Sequence, residues 1–313
     1  MAVSIGVDIG GTKIAAGAVD ELGTIQELVR RDTPATDSDA IEAAVADAVR
    51  ELAGRHPVTA VGVGAAGFVD DKRATVLFAP NLAWRKEPMR SELEALLGLS
   101  VVVENDANAA AWGEFTFGAG ADADDLMLVT VGTGVGGGLV LDGELYRGAF
   151  GVAAEIGHLR VVPDGRLCGC GNRGCWEQYA SGRALLKEVR EIAEQGSPQA
   201  AALLDLAGGR PDEITGQMVT KAARDDDELA VELLSELGRW LGEGIASLAA
   251  VLDPSVVVLG GGVSEAGELL LGPAREAFRR NLTGRRFRPE LEIRLATLGN
   301  DAGLIGAADL ARR

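Results

Sequence analysis

Basic side chains are scarce in this chain. It has only five lysines, Lys13, Lys72, Lys86, Lys187 and Lys221, and two histidines. Thirty Lys and Arg face 47 Asp and Glu, a net charge of −17. A surface this acidic repels a polyanion over most of its area, so no nucleic-acid partner is expected. Aromatic residues make up 4%, too few for a stacking platform that would hold single strands. No apolar run approaches the roughly 18 residues of a transmembrane helix. Met1–Asp8 lacks the basic region and apolar core of a secretory signal. No membrane association is expected, and the expected location is cytoplasmic. Cysteine is limited to three residues, Cys168, Cys170 and Cys175. An odd number in one short segment excludes a secreted disulfide framework and suggests a metal site.

What is present is apolar and glycine-rich: 47% hydrophobic residues and 43 glycines in 313 positions. That length suggests about two domains. Strands are predicted at Val3–Val7, Ile14–Val19, Val58–Val63, Thr75–Phe78 and Ser100–Val103. Ile41, Ala44, Val45, Ala48, Val49 and Leu52 repeat with helical spacing, predicting a helix over 36–53. Further helices are expected near Pro88–Leu97 and at Asp106–Phe117. The pattern then restarts with a strand at Asp125–Val131, a glycine turn at Gly132–Gly138 and a strand at Leu139–Leu141. Helices follow at 176–195, 215–223 and 226–252, then a strand at Ser255–Leu259. A helix at Glu265–Asn281 capped by Ser264, a strand at Leu291–Leu295 and a helix at 302–311 capped by Asn300 or Asp301 close the reading.

Both tandem units open with a strand and a glycine turn carrying threonine. Glycines leave backbone N–H groups uncovered for a phosphate. Gly10, Gly11, Thr12 and Lys13 add a hydroxyl and an ammonium, and Gly132, Thr133 and Gly134 add a second hydroxyl. Two ordinary hairpin turns would look the same, but the pair in tandem favours a polyphosphate ligand. A P-loop is excluded, because its Gly-Lys-Ser/Thr must open a helix, whereas a strand follows Lys13. Two accidental GxGxxG spellings, at Gly62–Gly67 and Gly132–Gly137, fail the dinucleotide test for the same reason. Gly260–Gly262 lies between a strand and a helix, where N–H groups can face a flat or anionic ligand, or simply make a tight turn.

Glu104, Asn105, Asp106 and Asn108 crowd the end of a strand where a helix begins. One of them can be an N-cap, which leaves the others unexplained. A carboxylate there can orient a substrate hydroxyl and accept its proton. Phosphoryl transfer has a loose transition state, so positioning matters more than base strength. His158 precedes Cys168, Cys170 and Cys175, and three thiolates with one imidazole form a tetrahedral structural zinc set. Zinc on one ring nitrogen would leave the other N–H free to face a ligand. Glu155 and Glu177 flank that segment and could accept from sugar hydroxyls.

These motifs together resemble the ROK family of sugar kinases and regulators, and within it the bacterial glucokinases. The resemblance rests on the Asp8–Lys13 turn, Glu104-Asn-Asp-Ala-Asn-Ala-Ala, Gly132-Thr-Gly-Val-Gly-Gly-Gly, Glu155-Ile-Gly-His, the Cys168–Glu177 block, Gly260-Gly-Gly-Val and Asp301-Ala-Gly-Leu-Ile-Gly-Ala. It covers essentially the whole chain, and the cysteine block is its most specific part. It implies an α/β, two-lobed actin/hexokinase-like (ribonuclease H-like) fold. The small lobe would be 1–120 plus 300–313. The larger C-terminal lobe, 121–299, would hold the zinc loop and most of the adenosine site. It also implies ATP, Mg²⁺, structural Zn²⁺ and transfer of the γ-phosphoryl to the 6-hydroxyl of glucose. By matching position, Asp106 would be the base. Asn105, Glu155, His158 and Glu177 would hold the sugar, with Gly67 and Asn81 beside it. Gly10, Gly11, Thr12, Lys13, Thr133 and Gly134 would lie at the phosphates, and Gly261 and Gly262 at the adenosine. Family habit implies a homo-oligomer, dimer or tetramer. The chain departs from the family at Gly64-Ala65-Ala66-Gly67, where many members have proline third.

Two rivals share these motifs. One is a kinase for another hexose: fructose, mannose, N-acetylglucosamine or N-acetylmannosamine. The other is a sugar-responsive transcriptional regulator. Its relatives carry an N-terminal DNA-binding motif, for which a first strand starting at Val3 leaves no room, and the acidic charge argues against DNA.

Overall fold

The computed structural model describes residues 2–79 and 82–313. Its elements are mixed strands and helices. In chain order the first are β1 (Val3–Ile9), β2 (Lys13–Val19), β3 (Ile25–Asp32), α1 (Ser38–Ala53), β4 (Val58–Ala65), β5 (Phe68–Val69), β6 (Val76–Phe78), β7 (Arg85–Glu87), α2 (Met89–Leu97), β8 (Val101–Asn105) and α3 (Asp106–Phe117). Then come β9 (Leu126–Val131), β10 (Val135–Leu141), β11 (Glu144–Leu145), α4 (Glu177–Ala180), α5 (Gly182–Glu194), α6 (Ala201–Leu206), α7 (Gly216–Arg224), α8 (Glu228–Leu252), β12 (Val256–Gly260), α9 (Glu268–Asn281), β13 (Glu292–Leu295) and α10 (Ala302–Leu310). Among the described residues, no helix is long and apolar enough to cross a membrane.

The chain divides into two compact units. The first comprises 1–128, 137–154 and 297–313, and the second 129–136 and 155–296. In the first unit a five-stranded sheet runs in the order β3-β2-β1-β4-β8. β1 pairs antiparallel with β2 and parallel with β4, which pairs parallel with β8. Opposite Asp8 stand Ala15 and Gly64, and opposite Asn105 stands Ala65. The C-terminal ends of three parallel strands therefore meet, the usual place for ligands in such sheets. A small antiparallel sheet, β5-β6-β7, adjoins.

α10 is apolar on all sides because it is buried on all sides. It lies backbone to backbone on its neighbours. A Cβ at Gly6 would fall 1.9 Å from the Leu304 carbonyl oxygen, and one at Gly306 would fall 1.8 Å from that of Ala109. Only glycine allows α10 to come this close to β1 and α3.

A second five-stranded sheet has the order β11-β10-β9-β12-β13. In the second unit β12 and β13 pair in parallel. The 25-residue α8 packs on α9 through glycine notches: Cβ atoms at Gly238 and Gly242 would stand 2.7 and 2.2 Å from the carbonyl oxygens of Leu270 and Ala274.

Several boundaries differ from the sequence reading. β10 begins at Val135, so Gly136–Gly138 are strand rather than turn. Gly138 is glycine because α3 presses on it: a Cβ there would meet the Ala107 carbonyl oxygen at 2.7 Å. The helix expected over 176–195 breaks at Ser181, which is extended and caps α5 by accepting from the Ala184 N–H. Ser264 is not the cap of α9. It sits in a 3-10 turn and donates to the Gly261 carbonyl, and Gly267, in the left-handed region, starts the helix. Nor does the Asp301 side chain cap α10.

Candidate active site

In the first unit the site grows out of the β8–α3 junction. Asn105 is the N-cap of α3, its Oδ1 accepting from the Asn108 N–H at 2.9 Å. Its amide nitrogen donates to Asp106 Oδ1 and to the Gly67 carbonyl, both at 3.1 Å. Three of the predicted sugar-side residues, Gly67, Asn105 and Asp106, are thus brought together by one side chain. Desolvation pushes the Asp106 carboxyl above the usual aspartate range, partly offset by hydrogen bonds from the Ala107 and Asp106 backbone and from Asn105. Asn81 lies outside the described residues.

Two more carboxylates stand here that sequence reasoning did not single out for the site. Asp8, at the end of β1, is pushed up to about 7, first by burial and then by the charges of Asp106 and Asp301. From sequence Asp8 reads as the start of a turn and Asp301 as a helix cap, so nothing local marks them as neighbours. Asp8 and Asp301 thus offer carboxylate oxygens, the donor type Mg²⁺ takes, within electrostatic reach of Asp106.

The glycine turn between β1 and β2 is closed by the Gly10 N–H donating to the Lys13 carbonyl at 3.0 Å. Thr33 braces it from β3, its hydroxyl donating to the Gly10 carbonyl at 2.8 Å and its N–H to that of Thr12 at 3.0 Å. Gly11, Thr12 and Lys13 are exposed.

The second unit gathers the cysteine segment. His158, Cys168, Cys170 and Cys175 each turn one ligand atom into a space where all four lie within 4.8 Å of one another. Cys170 and Cys175 Sγ are 3.6 Å apart, and Cys168 Sγ is 3.6 Å from His158 Nδ1. Zn–S bonds of about 2.3 Å set tetrahedrally put sulfurs just under about 4 Å apart, so the donor set fits zinc. Burial pushes the Cys168 and Cys175 thiols up, and a bound cation would reverse that. With Nδ1 turned toward the sulfurs, His158 Nε2 stands 3.9 Å from Glu155 Oε2. Glu177 Oε1 accepts from Cys168 at 3.0 Å, and Oε2 lies so close over Gly134 that a Cβ there would be 2.6 Å away. Glu155, His158, Glu177 and Gly134 therefore belong to one neighbourhood.

A cavity of about 840 Å³ opens in the same unit, lined in part by Gly132, Thr133, Gly182, Lys187, Lys221 and Gly262. Its floor is tight. The Gly182 N–H donates to the Gly132 carbonyl at 2.8 Å, and a Cβ at Gly261 would be 2.6 Å from the Val131 carbonyl oxygen. Of the predicted nucleotide residues, Thr133 and Gly262 line the cavity, with Gly134 and Gly261 next to them in the chain. Arg183, Lys187 and Arg190, on one face of α5, and Lys221 and Arg224 on α7 add positive charge. Sequence reasoning missed these, although the i, i+4 and i+7 spacing of the first three places them on one helix face. The size falls within the usual range for small-molecule sites.

Comparison with known proteins agrees with this geometry. The model of the ROK family matches residues 4–313. A glucokinase from Streptomyces coelicolor is 53% identical over 312 residues, covering 100% of this chain and 98% of that protein. The crystal structure of a ROK family glucokinase from Streptomyces griseus in complex with glucose and AMPPNP superposes with a TM-score of 0.91 at 56% identity, covering 99% of both chains. A xylose repressor from Bacillus subtilis is 27% identical, covering 98% of this chain and 76% of the repressor. Motif, fold and full-length similarity converge, and the chain belongs to the ROK family.

Proposed function

We propose that this chain is an ATP-dependent glucokinase, moving the γ-phosphoryl of Mg-ATP to the 6-hydroxyl of glucose, in an actin/hexokinase-like fold. The observation that carries the reading is Asp106. It is a desolvated carboxyl at a helix N-terminus, oriented by the Asn105 amide and by the Ala107 and Asp106 backbone N–H groups. Similarity to glucokinases over the full chain length supports glucose as acceptor.

Asp106 orients the 6-hydroxyl and takes its proton as the new P–O bond forms. Asn105, Glu155, His158 and Glu177 receive the remaining hydroxyls, beside Gly67. Gly10–Lys13, Thr133 and Gly134 offer N–H groups, hydroxyls and one ammonium to the phosphates. Gly261, Gly262 and the basic face of α5 line the nucleoside end. Asp8 and Asp301 are the residues suited to hold Mg²⁺, which when bound offsets phosphate charge. Zinc in the Cys168–Cys170–Cys175–His158 set would lock the imidazole so that Nε2 faces the sugar.

The test is ADP release with Mg-ATP against glucose, fructose, mannose, N-acetylglucosamine and N-acetylmannosamine. Glucose is expected to give the highest kcat/KM. Asp106→Asn is expected to bind glucose and lose about 10²–10⁴-fold in kcat. Preference for another hexose would move the substrate and keep the chemistry. Sugar binding without turnover would favour the regulator reading, which the similarity to a xylose repressor keeps open.

A further inference from the structure

One carboxylate beside the proposed base has no part in the roles above. Glu104, the last residue of β8 but one, is 1% exposed. Its Oε1 accepts from the Asn105 backbone N–H at 3.0 Å and from Asn108 Nδ2 at 3.1 Å. Its Oε2 pairs with Arg147 Nε at 2.8 Å and Arg73 Nε at 3.1 Å. Each arginine is tied to a different segment. Arg147 donates through its two terminal nitrogens to the carbonyls of Asp71 and Asp70, at 2.9 and 2.7 Å. Arg73 sits in the left-handed region, with its own carbonyl accepting from the Val103 N–H at 3.1 Å. Four residues past Arg147, Gly151 packs so tightly on the same turn that a Cβ would stand 2.5 Å from the Val69 carbonyl oxygen. A single buried carboxylate thus ties together the 70–74 turn, the 147–151 segment and the β8–α3 junction.

For the fold alone this is an expensive arrangement. A buried ion triad can often be replaced by well-packed apolar side chains without loss of stability. What apolar residues cannot do is orient two amides. Asn105 must present its nitrogen to Asp106 and its oxygen to the helix terminus. The backbone N–H of Asn105 and the side chain of Asn108 are both held by Glu104 Oε1.

We infer that Glu104, clamped by Arg73 and Arg147, is a positioning residue for phosphoryl transfer, acting through Asn105 and Asn108 to aim the Asp106 carboxylate. The inference rests on the reading of Asp106 as the base. It makes the 70–74 turn and the 147–151 segment part of the catalytic apparatus, although neither supplies a residue that touches substrate.

The test compares Glu104→Gln, Arg147→Met and Asp106→Asn with the wild type at saturating glucose. Turnover is normalised to glucose-binding sites counted by equilibrium dialysis. Misplacement of a reacting group by about 1 Å can lower the rate about 10²-fold. Glu104→Gln is therefore expected to lose about 100-fold in kcat per glucose-binding site, with the KM for ATP within about twofold of wild type. Arg147→Met should show the same pattern at about tenfold. Wild-type kcat per site in Glu104→Gln, even with a lowered melting temperature, would overturn the inference and leave Glu104 a structural anchor. Should Glu104→Gln fail to fold, Arg147→Met decides by the same criterion. Full activity in Asp106→Asn would instead refute the base assignment. An inactive Asp106→Asn beside an active Glu104→Gln refutes only the positioning role.

Discussion

Asp8 carries a carboxyl pushed up to about 7 by burial and by Asp106 and Asp301. A group whose folded pKa is raised favours the native state most when it is protonated in both states. Its contribution therefore falls as pH rises from about 4 to about 7 and stays low above that. Asp8→Asn, measured by thermal unfolding without Mg²⁺, is expected to raise the melting temperature at pH 8 and leave it unchanged at pH 4. At roughly 2–4 °C per kcal/mol, the gain is a few degrees. No gain at pH 8 would mean that the three carboxylates are not mutually strained. The zinc set makes a second residue-level prediction. The purified chain should hold one zinc, and its removal by a chelator should weaken glucose binding about tenfold or more while sparing nucleotide binding. Equal affinity for glucose in a verified zinc-free protein would detach the His158 imidazole from the sugar. The Asn105–Asp106 junction and the Cys3His cluster were legible in the sequence because their residue types and spacing are local. Glu104 was visible only as a member of a crowded strand end, and Asp8 and Asp301 only as parts of a turn and a cap, because what distinguishes the three is the company they keep across the sheet and the turns.

At the scale of elements, periodicity placed the long helices well, and the errors fell where small polar residues or glycine interrupt them. Ser181 divides one helix that the apolar pattern alone would run through, and Gly267 delays the start of another to Glu268. Gly136–Gly138 looked like a turn and are strand, and at Gly138 the glycine serves close packing of α3 rather than chain reversal. The same distinction predicts opposite outcomes for two glycine substitutions. At Gly242 in α8 a new Cβ would meet the Ala274 carbonyl oxygen at 2.2 Å and the Phe278 nitrogen at 2.7 Å, both backbone atoms of α9. Gly242→Ala should force the two helices apart and destabilise by about 1–3 kcal/mol. At Gly216, which opens α7, nothing lies within 4 Å of the added Cβ. Gly216→Ala should be neutral or stabilise by up to about 1 kcal/mol. Paired denaturant titrations would check both, and equal midpoints would contradict the packing described here.

The molecule as a whole carries a charge of −17, and where those charges sit sets its response to pH. Glu42 is buried in α1 against Glu87 and Glu92, and its carboxyl is pushed up to about 9 by burial, by a hydrogen bond to Glu92 and by the neighbouring charges. It acts in the same direction as Asp8: stability is lost as pH climbs from about 4.5 toward about 9. Glu42→Gln should therefore flatten the alkaline side of a plot of melting temperature against pH. An unchanged slope would show that the three glutamates relax apart. The two-unit division was legible only as a restart of the strand–turn pattern. The return of the chain to the first unit at 297 was not read from spacing, because nothing local tells an apolar helix which sheet it will join. That return has a consequence for synthesis. β1 leaves the ribosome early, yet the backbone it must touch, at Leu304, is made roughly 300 residues later. The face of the first sheet that α10 covers thus stays open until the last residues are made, and it is the part of the first unit that most needs shielding before release.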